Sequence, residues 1–378
     1  MTESSKSKIL LASITCVSRL GIDNVVARDI IEAAGVSRST FYQYFGDVED
    51  AFAEMWATFG PDWFVSLLET NRHCTPIGDL DWAMVDVLST CVRKSALHEL
   101  VTRDVGEWWR QKKRHSNSVI VRDTSIISLH LGYILASSIM PTPAYVPLML
   151  ELLHAMPDNA VDILGIPKGG LARIRYPQVQ CPIQTDDDPT TDALVKASVD
   201  VISSAGVASA SALRICRLSR VTTGSFNSRF LGLDELIEWG FDFATEAIVY
   251  QNTHERVFET EVSAPDLNAL VMANSLSSAR TRWRRYKQEI HLALRHNSAL
   301  LEMVKQASVR SNQILLDRFM SFGEPRAVAE GAVEMSQVFS LGQSVLFEIG
   351  IPINRLDLRI LNRWFYQARS EAVEQYAS

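Results

Sequence analysis

The sequence predicts an all-α chain built as two similar helical units, and three observations predict it. Apolar residues recur three and four positions apart through most of the 378 residues. No alternating apolar–polar run of useful strand length occurs. A spaced set of residues near the N-terminus returns, ungapped, 185 positions later.

Composition bounds the class. An apolar share of 47% with 21% charged residues describes a globular chain able to form sizeable cores, and its length suits two or three domains. Cys16, Cys74, Cys91, Cys181 and Cys216 form no C-x-x-C pair and no disulfide or zinc spacing, which suits a reducing compartment. The polar start MTESSKSK lacks the apolar core of a signal peptide. No run approaches the ~20 apolar residues a membrane helix needs. A cytoplasmic protein without a membrane partner is expected. The net charge of −7 neither requires nor excludes a nucleic-acid partner, because such binding depends on a local basic face.

The elements follow in order. In residues 8–20, Ile9, Ala12, Cys16, Val17 and Leu20 make one apolar stripe, and Gly21 ends it. Residues 27–34 form a second helix with Ile30, Ile31, Ala33 and Ala34 on its buried side, broken by Gly35. Val36 plugs inward, and Ser37 caps a third helix, RSTFYQYF. Phe41 and Phe45, four apart, face the core and leave Ser39, Thr40, Tyr42, Gln43 and Tyr44 outside. Three short helices with a glycine turn before the third make a helix-turn-helix. Its third helix offers hydroxyls, an amide and Arg38 to phosphates and base edges. The plainer alternative is a helical bundle corner with surface tyrosines.

Residues 9–55 resemble the DNA-binding domain of the TetR family of bacterial transcription regulators. Ile30, Ala33, Ala34, Gly35, Val36, Ser37, Thr40, Tyr42, Tyr44 and Phe45 carry the resemblance. One position departs from it: the family has a basic residue three positions after the final phenylalanine, and this chain has Val48. The resemblance implies double-stranded operator DNA as the partner, met by Arg28, Ser37, Arg38, Ser39, Thr40, Tyr42, Gln43 and Tyr44.

In the second copy Ala12, Gly21, Ala27, Ile30, Val36, Phe41 and Phe45 fall on Ala197, Gly206, Ala212, Ile215, Val221, Phe226 and Phe230. The buried set and the first glycine turn are kept, and the exposed set changes. Tyr42 becomes Asn227, Gln43 becomes Ser228, Tyr44 becomes Arg229, and Arg220 stands where the first copy has Gly35. No acidic residue occurs from 201 to 233, which suits phosphate contact. Arg214, Thr222, Thr223, Ser225, Asn227, Ser228 and Arg229 are its candidate DNA contacts. A domain kept only for its fold is the alternative.

Each head precedes helical stretches: about 48–70, 80–115, 124–140 and 144–156, then 233–258, 265–296, 298–322, 326–349 and 354–376. Residues 158–190 are broken by prolines, glycines and a DDD run and read as a linker. The organisation is therefore 1–47 first head, 48–157 first regulatory domain, 158–190 linker, 191–232 second head and 233–378 second regulatory domain. The stretches beginning at Leu131-Gly132 and Leu341-Gly342 echo one another. In the TetR family the last two helices form a dimer interface, so the resemblance implies an intramolecular pseudo-dimer, monomeric in chain count, with further homodimerisation left open.

The resemblance also implies an apolar pocket for a small-molecule effector of unspecified identity. Trp56, Phe59, Trp63, Trp82, Trp108 and Tyr133 are candidates in the first half, and Trp239, Phe243, Trp283, Phe319 and Phe339 in the second; taken singly, each also reads as core. No metal set, cofactor or catalytic motif is found: His73–Cys74 and His291–His296 do not place a metal pair on one helix face, and no nucleophile elbow or phosphate loop occurs. The basic run RTRWRRYK, residues 280–287, reads as a solvated helix face with Trp283 turned inward, or as a second nucleic-acid surface. The expectation is a non-enzymatic DNA-binding transcription regulator, a repressor. The rival is a ligand sensor or interaction protein that kept the fold and lost its operator.

Overall fold

The computed structural model describes residues 4–70, 76–167, 188–254, 263–321 and 323–377, and every regular element among them is helical. α1 (Ser5–Leu20) begins on Ser4, whose hydroxyl accepts from the Ser7 amide, and ends at Gly21 with φ 78°. α2 (Ala27–Ala34) ends at Gly35 in the left-handed conformation, φ 62° and ψ 35°, which costs glycine no Cβ clash. α3 (Arg38–Tyr44) begins on Ser37, whose hydroxyl accepts from the Thr40 amide. Ile9, Val17, Ile30 and Phe41 are fully buried between these helices. Leu20 and Ala33, expected on the buried stripes, are exposed; both lie in the final turn of their helix.

The head rests on α4 (Val48–Ser66) and α5 (Asp79–Thr90), followed by α6 (Ser95–Lys112), α7 (Asn117–Ala136), α8 (Val146–His154) and the single turn α9 (Ala160–Ile163). The helix expected at 80–115 is two. Cys91–Arg93 tighten into a 3₁₀ turn and Lys94 is extended, after the Thr90 hydroxyl has bonded back to the Asp86 carbonyl, a competition that weakens helices. α7 starts earlier than expected because Ser116 caps it. Residues 168–187, most of the expected linker, lie outside the described residues, as do His73, Cys74 and Cys181.

The chain resumes with α10 (Pro189–Ala205), α11 (Ala212–Ser219) and α12 (Thr223–Asn227), then α13 (Leu233–His254), α14 (Ala264–Ser275), α15 (Thr281–Ala293), α16 (Ser298–Ser321), α17 (Arg326–Glu348) and α18 (Arg359–Ala377). α10 lies on α13 and α15 as α1 lies on α4 and α5. The helix expected at 265–296 breaks at 276–280. There the guanidinium of Arg284 donates to the carbonyls of Ser275 and Ser277, at 3.1 and 2.6 Å.

The two halves meet along α7 and α17. Side chains of Val338, Phe339, Leu341 and Val345 on α17 complete the core of the first half. Gly132 on α7 and Gly342 on α17 face one another. A Cβ on Gly132 would overlap the Val338 carbonyl oxygen and stand 3.1 Å from the Gly342 amide nitrogen. A Cβ on Gly342 would overlap the Ser128 carbonyl oxygen and stand 2.9 Å from the Gly132 amide nitrogen. The contact is reciprocal: each glycine meets the other and the residue four positions before it. α7 has the length and apolarity of a membrane span, yet 89% of its apolar window is buried inside the protein. Glu334 on α17 accepts from the Tyr145 and Val146 amides at 2.7 and 3.0 Å, capping α8 from the other half. Trp364 of α18 donates to the Leu152 carbonyl at 2.8 Å.

Substituting either glycine has a definite consequence. The listener to a Cβ at this contact is a helix backbone and not a movable side chain, so Gly132→Ala should cost about 3 kcal/mol or more. Denaturant titration should show a large fall in midpoint, and Gly106→Ala, where a Cβ meets open space, should show none.

Candidate nucleic-acid interface and the seam beneath it

α3 is rooted by Phe41 and Phe45, whose ring centroids are 5.6 Å apart. The opposite side carries Arg38, Ser39, Gln43, Tyr42 and Tyr44, the two tyrosines 45% and 43% exposed. The Arg38 guanidinium lies 5.6 Å from the Tyr42 ring centroid, which orients cation and phenol together. Ser37 is committed to the cap and bonds the hydroxyls of Ser39 and Thr40 at 2.8 Å. Arg28 pairs with Glu32 at 3.0 Å with both side chains largely in water. Such a pair is weak and leaves the guanidinium able to exchange onto a phosphate.

Helices α10, α11 and α12 repeat the local geometry of α1, α2 and α3. Gly206 ends α10 with φ 82°, Ser211 caps α11, and Thr222 caps α12 by accepting from the Ser225 amide. The turn residue Arg220 adopts φ 58° and ψ 30°, matching Gly35, and is the one non-glycine residue with positive φ among those described. That conformation costs an ordinary residue ~1–2 kcal/mol. Arg214, Thr222, Thr223, Asn227 and Ser228 are exposed and Ser225 is half-buried. Arg229 is different. Its guanidinium pairs with Asp188 at 2.6 Å and donates to the Ser225 carbonyl at 3.0 Å. The Arg229 ion pair, with the hydroxyl of Thr191 and the amide of Thr190, holds the Asp188 carboxyl well below the usual carboxylate range.

A three-helix head with a capped, outward-facing third helix is a helix-turn-helix DNA-binding unit. Residues 9–55 match the family model described as bacterial regulatory proteins, tetR family, and this match supports a DNA-binding regulator of the TetR type. No curated protein matches the chain.

Beneath the heads, two arginines cross the seam. Arg93, just after α5, donates to the Ala205 carbonyl at the end of α10 at 3.3 Å. It also pairs with Asp23 of the first head at 2.8 Å and with Glu289 of α15 at 3.0 Å. Arg295, just after α15, mirrors it: it donates to the Ser18 carbonyl near the end of α1 at 3.1 Å and pairs with Asp86 of α5 at 2.8 Å. Its guanidinium lies 4.0 Å from the ring centroid of Trp82. Arg93 thus reaches the end of α10 and Arg295 the end of α1, each across the seam. The sequence reading missed these arginines; their only sequence signal was a basic residue shortly after each supporting helix.

The aromatic effector candidates are scattered. Trp56 is fully buried and donates to Asp104, and Trp63 donates to Asp81. Trp108 is buried edge-on to Phe64 with its indole nitrogen unpartnered. Tyr133 is half-buried against the first core. Trp82 lies at the seam. Trp239 is 38% exposed, edge-on to Phe230 where α13 meets its head. Trp283 packs on Tyr286 in the second core, which Phe243 borders, while Phe319 sits in a small cluster between α16 and α17. Phe339 belongs to the first core, which Phe59 borders. The basic run at 280–287 is solvated only in part: Arg282 is exposed and pairs with Asp200 at 2.7 Å, whereas Arg280 and Arg284 are buried. Arg284 and Arg285 both pair with Glu348 at 2.8 Å. A tertiary partner turned these cations inward.

The seam makes stability pH-dependent. Burial pushes the Glu289 carboxyl up, helped by Asp23 and Asp86 and opposed by Arg93; burial likewise pushes Asp86 up against Arg295. The arginines do not titrate in this range. An acid whose folded pKa exceeds its unfolded value keeps a proton that the unfolded chain has released. Stability therefore falls as pH rises from the ordinary carboxylate range through the folded value. Thermal unfolding of the wild type should show this decline from mildly acidic to mildly alkaline pH, and Glu289→Gln should flatten it.

Proposed function

We propose that this chain is a TetR-like transcriptional repressor that does in one polypeptide what a homodimer does in two. The carrying observation is the reciprocal contact of Gly132 and Gly342, with the crossed arginines Arg93 and Arg295 above it. A surface that meets its own equivalent residue for residue has the form of an isologous dimer interface. In this reading the units are two copies of one ancestral subunit, and the organisation follows the five segments given above. The two heads enter successive major grooves about one DNA turn apart. The first reads through Arg38, Ser39, Thr40, Tyr42, Gln43 and Tyr44. The second presents Arg214, Thr223, Asn227 and Ser228, and Arg229 once freed from Asp188. Because the two faces differ, the operator is an imperfect palindrome. A small molecule in a regulatory half would shift the heads and lower DNA affinity.

The rival, a sensor that has lost its operator, draws on one observation: Asp188 occupies the guanidinium of Arg229, so the second head is partly neutralised by its own chain.

Two measurements test the reading. A gel shift on DNA flanking the gene should show specific retention that weakens steeply with salt and disappears in Tyr42→Ala. Asn227→Ala should weaken one half-site about tenfold. No shift, or the same smear on any DNA, favours the sensor. Light scattering at micromolar concentration should return one chain's mass, about 42.3 kDa; an obligate dimer of chains would overturn the one-chain arrangement.

A further inference from the structure

Arg229, two residues beyond the end of α12, is held on two sides. Its Nε donates to the Asp188 carboxylate at 2.6 Å. Its Nη1 donates to the Ser225 carbonyl and the Ser228 hydroxyl at 3.0 and 3.2 Å. Asp188 is fixed as firmly: it caps α10, accepting from the Thr190 amide at 2.9 Å and the Thr191 hydroxyl at 2.8 Å. An acceptor gathered by a helix-terminal amide, a hydroxyl and a guanidinium has the donor set that a nucleic-acid phosphate takes. The surroundings set this carboxylate apart. Residues 201–233 hold no acid, and Arg214, Arg217 and Arg220 are exposed with no ion pair among the described residues. Asp188 is thus the one described carboxylate paired with an arginine of that stretch. It is also the last of three consecutive acids, Asp186 to Asp188. The α1–α3 triplet has no such pair: Tyr44 stands at the position matching Arg229 and is 43% exposed.

We infer that Asp188 is an internal phosphate mimic that competes with DNA for Arg229 and so sets the affinity of the α10–α12 surface for a phosphate backbone. The inference rests on the regulator reading for its purpose, while the competition itself needs only a duplex of any sequence. An exposed ion pair is weak, so a phosphate can displace the carboxylate. The exchange still opposes binding in two ways. A counter-ion leaves the DNA as Arg229 arrives, but the abandoned Asp188 recruits one, so this contact releases no net salt. The bare carboxylate then stands beside a backbone of the same sign and repels it. Removing the charge at 188 removes both effects. Because only one triplet carries the pair, the α1–α3 surface engages a backbone first and the α10–α12 surface second.

The test uses the whole chain. Asp188→Asn removes the charge and keeps an equally good helix cap, and Asp188→Ser does the same with a smaller side chain; unchanged Tm and helical content check that both fold. Fluorescence anisotropy follows binding to a mixed-sequence duplex about two helical turns long, between about 50 and 200 mM salt. Both variants should bind about three- to tenfold more tightly than wild type at the lower salt, and log Kd should depend on log salt with a slope steeper by about one. Asp234→Asn, at an exposed acid in the first turn of α13, measures what the loss of any nearby negative charge does. In an Arg229→Ala background, Asp188→Asn should gain no more than that control. Repeating the series on DNA flanking the gene separates the two readings. Binding that ignores sequence but keeps the Asp188 effect removes the operator and leaves the competition. Specific binding without the Asp188 effect removes the competition and leaves the regulator. The competition is overturned if Asp188→Asn binds no more tightly than Asp234→Asn, if its gain survives Arg229→Ala, or if no variant binds a duplex.

Discussion

Two helix backbones touch where Gly132 meets Gly342, and the rest of the molecule is arranged around that approach. Any side chain there would push α7 and α17 apart, and the first core depends on their spacing, since α17 supplies apolar side chains to it. With those axes fixed, α5 and α15 come close enough for Arg93 and Arg295 to reach across. The buried charges at the seam are poor sources of net stability, because desolvation offsets most of their attraction. Their geometric demand is strict, however: each guanidinium meets a carbonyl near a helix end and at least one carboxylate at the same time.

Much of this was legible in sequence where the determinants are local. Gly21, Gly35 and Gly206, the cap Ser37, and the inward Phe41, Phe45, Phe226 and Phe230 act within a few residues, and the structure has them as read. What escaped the reading depends on distant partners. The breaks at Cys91–Arg93 and 276–280 occur where a hydroxyl or a guanidinium takes over backbone carbonyls. The run at 280–287 looked like a solvated face because nothing in its own sequence announces Glu348. The echo of Gly132 and Gly342 was visible, but periodicity cannot say which helix faces meet, so the contact between the two echoing residues was not.

The helix triplets α1–α3 and α10–α12 share a backbone plan and differ in how each side chain is committed. In the first, Arg38 leans on an exposed tyrosine and remains at the surface. In the second, α12 is shorter, Arg220 occupies a turn suited to glycine, and Arg229 is folded onto its own helix and onto Asp188. The same three-helix scaffold thus carries one face that is open and one that is internally bonded. The residues that separate them are the exposed ones, where a change costs little packing energy.

The join between α7 and α17 lies within one polypeptide, and that gives it a property a two-chain interface lacks. Its association carries no dependence on how many molecules a cell contains. Tethering replaces a dilute encounter by a local effective concentration set by the connecting segment, so the contact of α7 with α17 persists at a handful of copies per cell. Variation is affected as well. A substitution in a homodimer appears on both sides of the axis at once, whereas here Gly132 and Gly342 can change independently of one another.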